Sequence, residues 1–296
     1  MTFNTHTNKP PLFTLKVSVD FVSLHFPGTV EIKNQTVTQD IRNVAMGSGI
    51  FKKHYHSPNR PYSYYEAYVL PIPSYGICYD VKIFYPQTNI YPLRLKIEHP
   101  DRIGLLYLND LIGDFKYHIG NIEFCFDFLT TDVAAMYSFL KSCVFLKWKG
   151  KDLDRQYETT LYLNNVRKSV TKGCRLYIKE RGDRAIVRID FLLKREFLRR
   201  KDIVQIPDLI NMETPLVTKY LDFKIINFEL FQKRFKKLYD DESDLPIFIE
   251  MIHELMEEKS IYHANKLAES VVGKGLLKEH PFNKEFQKRL QDRKFF

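Results

Sequence analysis

The sequence predicts an α+β fold: a central antiparallel sheet with helices packed on one face, plus a smaller all-helical C-terminal domain. Three observations carry this. Strand-like runs separated by Pro- and Asn-containing turns follow one another from Leu12 to about Glu98. The segment Thr159–Arg200 reads as three consecutive strands leading into a basic helix. From Ile206 onward apolar residues recur at helical intervals instead. The predicted organisation is a flexible tail over residues 1–11, a sheet domain over 12–205 and a helical domain over 206–296.

Taken in order, Leu12–Phe26 is a β-branched and aromatic strand, with Leu15, Val17, Val19 and Phe21 on one face. Gly28–Arg42 is polar and predicts a short strand and loop. Further strands are expected at Gly49–His56, Tyr62–Leu70, Ile77–Tyr85 and Leu93–Glu98. Leu105, Leu108 and Ile112 place a helix over Ile103–Phe115. Ile119–Phe128 is a strand, and Thr131-Asp132 can cap a helix from Val133 to Cys143. In the C-terminal part, Phe228, Phe231, Phe235 and Leu238 form one helical stripe, and Ile249, Ile252, Leu255 and Met256 a second. A third helix spans Ile261–Val272.

The composition, 44% hydrophobic and 14% aromatic, is that of a chain able to bury a sizeable core. The net charge of +9 favours a polyanionic partner, nucleic acid or an anionic membrane surface. Between Lys147 and Lys201 there are 17 Lys and Arg against 7 Asp and Glu, so the excess is concentrated there. Cys78, Cys125, Cys143 and Cys174 lack paired ligand spacing, which argues against a zinc finger or a disulfide framework. The opening MTFNTHTNKPPLF has no apolar signal-peptide region, and no run approaches a membrane span. A soluble cytoplasmic protein with reduced thiols is expected. Glycine-rich phosphate loops, G-x-S-x-G elbows and zinc-protease motifs are absent, which argues against nucleotide hydrolysis and serine or zinc hydrolase chemistry.

Chemistry-bearing residues gather on two strand sets. In Asn121–Phe128, alternation puts Glu123, Cys125 and Asp127 opposite an aromatic face of Ile122, Phe124, Phe126 and Phe128. Such carboxylates suit Mg²⁺ or Mn²⁺, the alternative being a solvated polar face. Asp190 on a neighbouring strand would add a third carboxylate, and three together repel one another unless a cation sits between them. A hairpin across Arg181-Gly182-Asp183 would put Arg175, Tyr177 and Lys179 on one surface with Arg188, Asp190 and Leu192. Tyr177 is then a candidate nucleophile, its phenolate favoured by Arg175 and Lys179; the alternative is a packing tyrosine with its hydroxyl at the rim.

These motifs resemble those of plasmid rolling-circle replication initiators of the Rep-trans type, and of related relaxases and filamentous-phage replication proteins. NIEFCFDF is similar to their R-I-D-x-A-x-D strand. TTLYLNNVRKSVTKGCRLYIKERGDRAIVRIDFLLKRE is similar to their block T-x-Y-x-G-S-R-x-S, R-x-Y-x-K and V-R-x-E-x-x-x-K, in the same order. The resemblance spans about Leu12–Lys201 and is specific only in Ile119–Arg200. Asn121 stands for the usual arginine, Glu123 and Asp190 exchange the acid type, and Asn164-Asn165-Val166 replaces Gly-Ser.

The resemblance implies a metal-dependent DNA strand nicking-joining enzyme, a replication initiator in a bacterial host. Its tyrosine attacks one phosphodiester at an origin, keeps the 5′ phosphate and frees a 3′ hydroxyl for a polymerase. By position, Tyr177 is the nucleophile with Lys179 beside it, and Glu123, Asp127 and Asp190 hold Mg²⁺ or Mn²⁺. Arg167, Lys168, Arg175, Arg188, Lys194 and Arg195 are the expected DNA-binding residues. The partners implied are single-stranded or supercoiled origin DNA, a host helicase and polymerase, and a second copy in a homodimer. A mobilisation relaxase would use the same chemistry, and a non-catalytic sequence-specific DNA-binding regulator would keep the basic sheet alone. A competing metal site, His54-Tyr55-His56, mimics the His-hydrophobic-His of other nickases, but no tyrosine helix motif follows it. Tyr162 is a candidate second tyrosine, and Lys233, Arg234, Lys236 and Lys237 are candidate phosphate contacts of the helical part.

Overall fold

A computed structural model describes residues 9–27, 37–45, 53–54, 62–86, 92–147, 155–157, 159–164, 169, 171–182, 184–212, 219–291, 293 and 295–296. The tail up to residue 8 and His56 therefore lie outside the described residues, as do Arg167 and Lys168.

The first half builds one side of a large sheet. Thr14–Phe26 (β1) is followed by a helix, Val37–Val44 (α1), then Lys53–His54 (β2), Tyr62–Ile72 (β3), Ile77–Pro86 (β4) and Leu93–Glu98 (β5). The helix α1 stands where a strand and loop are predicted. Its only buried hydrophobic side chain among the described residues is Ile41, beside the buried polar Thr38, too little for a periodic signal; a tertiary tie holds it instead. Arg42 donates to Glu66, Tyr68 and Tyr85, anchoring α1 on β3 and β4. Next come Arg102–Ile112 (α2), His118–Leu129 (β6), Val133–Cys143 (α3) and Val144–Leu146 (β7). Asp101 caps α2 by accepting from Gly104 N–H at 2.9 Å, and Asp132 caps α3 by accepting from Ala135 N–H at 2.9 Å.

The first strand expected from Thr159 is Thr160–Tyr162 (β9), and a further strand ahead of it, Arg155–Tyr157 (β8), folds back on it so that Tyr157 pairs with Thr160. Lys172–Arg181 (β10) and Arg184–Lys194 (β11) form the expected hairpin, with Gly182 in the turn at φ 56°. That left-handed conformation suits a residue without Cβ. The chain then runs into Arg195–Arg199 (α4) and Ile206–Ile210 (α5). The large sheet has the order β2-β3-β4-β5-β1-β6-β11-β10-β9-β8, and every neighbouring pair is antiparallel.

One departure in β1 matters for the site. Val19 pairs with Phe124 and Phe21 with Glu123, so Asp20 is an extra residue, a β-bulge. The bulge reverses the alternation. Leu15 and Val19 face the core before it, Val22, Leu24 and Phe26 after it, and Phe21 turns to the opposite face beneath the Lys96 ammonium, 4.2 Å from its ring centre. Phe21 thus leaves the predicted group of Leu15, Val17 and Val19.

The C-terminal part continues with Leu221–Ile226 (β12), Phe228–Leu238 (α6), Leu245–Glu258 (α7), Ile261–Val272 (α8), Leu277–Glu279 (β13) and Phe282–Gln291 (α9). It is not all-helical: β12 pairs with β7 on one side and β13 on the other, in a small antiparallel sheet. α6, α7 and α8 enclose a separate core around Phe231, Phe235, Ile252 and Ala264. By contrast α9 packs on the large sheet. Phe286 stacks over Phe128 at 6.2 Å, and Phe295 meets Phe124 at 4.5 Å. With α3, this covers the aromatic face of β6 and β11, which frees the other face for polar residues. No helix among the described residues is long and apolar enough to cross a membrane.

Candidate active site

Directly opposed residues of antiparallel strands share a face, so the ladder registers define the site row by row. One row is Asp127–Arg188–Tyr177–Thr160 across β6, β11, β10 and β9. The next is Cys125–Asp190–Arg175–Tyr162. Glu123 follows opposite Leu192, and Lys179 lies beyond Tyr177 opposite Ile186. Tyr177, Lys179, Arg175, Arg188, Glu123, Asp127 and Asp190 are thus brought onto one face of the sheet, where Glu123, Asp127, Arg188 and Asp190 are buried.

Two guanidiniums organise the carboxylates. Arg188, 1% exposed, grips Asp127 with two bonds, Nε to Oδ1 at 2.5 Å and an Nη to Oδ2 at 2.8 Å. Its remaining Nη donates to Asp20 at 3.2 Å, so the bulge residue supplies the second carboxylate. Burial alone would weaken the basicity of Arg188, but the bonds to Asp127 and the charges around it raise it further. Arg175, whose side chain is 37% exposed, donates from Nε to Asp190 at 2.7 Å and from Nη to Glu123 at 3.1 Å. Its guanidinium also lies 5.4 Å from the Tyr177 ring centre. Cys125 donates its thiol to Asp190 at 3.2 Å; burial, then the charge of Asp190, pushes that thiol far up, so it stays protonated.

Tyr177 differs from its predicted state. Burial first, then the negative charge of Asp190 and a hydrogen bond to it, raise the phenol above its ordinary value. Arg175 and Arg188 pull the other way and do not win. The resting phenol is therefore protonated, with the Asp190 carboxylate near it on the same face. Glu123 is pushed up to about 7, mainly by burial and secondly by Asp190, with Arg175 opposing.

The carboxylates balance their charge on arginines. Asp127 has both oxygens on Arg188, and among the described residues no three of His, Cys, Asp and Glu are placed to hold one ion. Glu123 and Asp190 are the pair whose chemistry fits Mg²⁺ or Mn²⁺: hard oxygen donors whose mutual repulsion a shared cation relieves.

The expected DNA-binding cations are placed unequally. Arg188 is buried in its ion pairs and does not face outward, because Asp127 and Asp20 enclose it. Lys194 turns its ammonium to the Ser169 carbonyl at 2.5 Å, and burial lowers its pKa. Arg195 is exposed at the start of α4, and Arg175 and Lys179 are half-buried on the site face. His54 lies on β2, at the far end of the sheet order from β10. Sequence reasoning missed Asp20, although the three-residue step between the apolar Val19 and Val22 signals the bulge. It also missed a role for Asn164, which donates to the Lys172 carbonyl at 2.8 Å and accepts from Cys174 N–H at 3.1 Å, clamping the end of β9 to β10. Compared with models of known protein families and with curated proteins, the chain matches none.

Proposed function

We propose that this protein is a replication initiator that nicks one DNA strand at an origin by tyrosine transesterification. The observation that carries this is the register that puts Tyr177 next to the Arg175–Asp190 pair, on a face where Arg175 ties Asp190 to Glu123. The phenolic oxygen attacks phosphorus while its proton passes to Asp190. The P–O3′ bond breaks, the 5′ phosphate stays on Tyr177, and the 3′ oxygen leaves, takes a proton from solvent and becomes the hydroxyl a polymerase extends. Arg175, the more exposed of the two arginines, faces the charge developing on the phosphoryl oxygens, and Lys179 adds to it from the same face. Arg188 holds Asp127 and the bulge together, so it positions the surface. A Mg²⁺ or Mn²⁺ ion held by Glu123 and Asp190 would polarise the phosphodiester. The phosphotyrosine bond keeps the energy of the broken linkage, so reversal reseals the strand; a mobilisation relaxase would use the same cycle.

A second reading, a DNA-binding regulator without catalysis, draws on the raised phenol of Tyr177 and the closed ion pairs around it. Incubation of wild type, Tyr177→Phe and Asp190→Asn with single-stranded and supercoiled DNA and Mn²⁺ or Mg²⁺ separates the two. Covalent 5′ adducts absent in Tyr177→Phe and depressed in Asp190→Asn support the nickase. Adducts that persist in Tyr177→Phe move the nucleophile elsewhere. Salt-sensitive binding with no adduct on any DNA favours the regulator.

A further inference from the structure

The site face does not stop at Tyr177. Its two rows continue to the sheet edge, where Tyr157 on β8 opposes Thr160 and Arg155 opposes Tyr162. Tyr157 is 60% exposed, and its ring meets that of Tyr162 edge-to-face at 5.8 Å. Arg155 is exposed beside them, and Tyr162 is the register neighbour of Arg175. A strand edge carrying an exposed tyrosine has no core to explain it, since Leu161, on the opposite face, is the residue that β9 buries.

We propose that Tyr157 and Tyr162 form a stacking platform for unpaired bases of a single DNA strand. This rests on the nicking reading of the face and names what selects its substrate. Two observations point to that occupant. The rings interleave with Arg155, Arg175 and Lys179, which complement a phosphate backbone, inside the segment that holds the chain's excess of positive charge. Aromatic rings interleaved with cations suit single strands, because base faces are accessible only when the duplex is open. Adjacent strands lie about 4.8 Å apart, so β8 is about 10 Å from β10, which keeps the platform within a short stretch of strand from Tyr177.

The test is anisotropy binding, without metal, of a labelled dT oligonucleotide and of a hairpin duplex of equal charge. All proteins carry Tyr177→Phe to prevent cleavage. Tyr157→Ala and Tyr162→Ala are expected to weaken single-strand binding about 5- to 150-fold each and to leave duplex binding unchanged, while Tyr157→Phe, which keeps the ring, retains affinity. Equal losses on both DNAs, no loss on the single strand, or a Phe variant as weak as Ala would overturn the platform. Tighter binding to a uridine oligoribonucleotide than to dT overturns the assignment to DNA. Duplex binding is the folding control, because a disturbed fold would weaken binding to both DNAs. Ring-dependent binding by a protein that forms no adduct sustains the platform and removes the nicking reading; adduct formation by the wild type with ring-independent binding does the reverse.

Discussion

Removing Arg188 tests whether it is a structural cation or a contact to DNA. Its side chain is 1% exposed, that of Asp127 is 2%, and the two share a bidentate pair. Arg188→Met keeps a long apolar stem but leaves the Asp127 carboxylate buried without its partner. Breaking a buried pair from one side costs about 3–5 kcal/mol, a large share of a stability of about 5–15 kcal/mol. The double variant Asp127→Leu with Arg188→Met removes both charges, and replacement by apolar residues is often neutral, so most of the loss is recovered. Asp20 loses a partner in either variant, yet its side chain is 24% exposed and can be solvated. Urea denaturation read by circular dichroism gives both values from the shift in midpoint. A cost below about 1 kcal/mol for Arg188→Met, with a smaller salt dependence of DNA binding, would refute the reasoning and make Arg188 a phosphate contact.

Three further outcomes follow from the same structure. Glu123 moves from 4.5 to about 7 on folding, so the folded state favours the protonated acid; its stabilisation is complete below about pH 4.5 and lost as pH rises through about 7. The stability of Glu123→Gln relative to wild type should therefore rise across that window and level off above it, and Mn²⁺ should move the window down. A flat difference would disprove the shift, and an unmoved window would mean that Glu123 holds no ion. Asn164→Ala removes two buried bonds between β9 and β10 and should cost about 1–3 kcal/mol, with faster amide exchange in Thr160–Tyr162; unchanged exchange there would show that the clamp is not formed. Gly104→Ala would place a Cβ 2.6 Å from the Tyr79 ring, whose hydroxyl donates to the capping residue Asp101. A loss of about 1–3 kcal/mol is expected in thermal denaturation, and a neutral substitution would show that the ring yields freely.

Local pattern determined a good deal of this protein. The alternation in Asn121–Phe128 separates an aromatic core face from Glu123 and Asp127, because strand side chains alternate whatever the partner. Asp132 announces α3 by the same kind of local rule, an acceptor placed before apolar helical spacing. The glycine in the β10–β11 turn sets their register, which puts Tyr177, Arg188 and Asp190 together. What tertiary structure decided is which charges pair and which elements meet. Arg188 reads in the sequence as a basic strand residue able to bind phosphate; it becomes a buried cation because the β1 bulge brings Asp20 to it across β6. Tyr177 reads as an activated phenol between two cations, but burial and Asp190 outweigh them, and burial is a property of the assembled sheet. In the C-terminal part, the helical spacing of α6, α7 and α8 is local, whereas the pairing of β12 with β7 and the seating of Phe286 on Phe128 join residues far apart in the chain. Periodicity along a chain specifies the face a residue takes; the identity of the neighbour on that face depends on register and packing between distant segments.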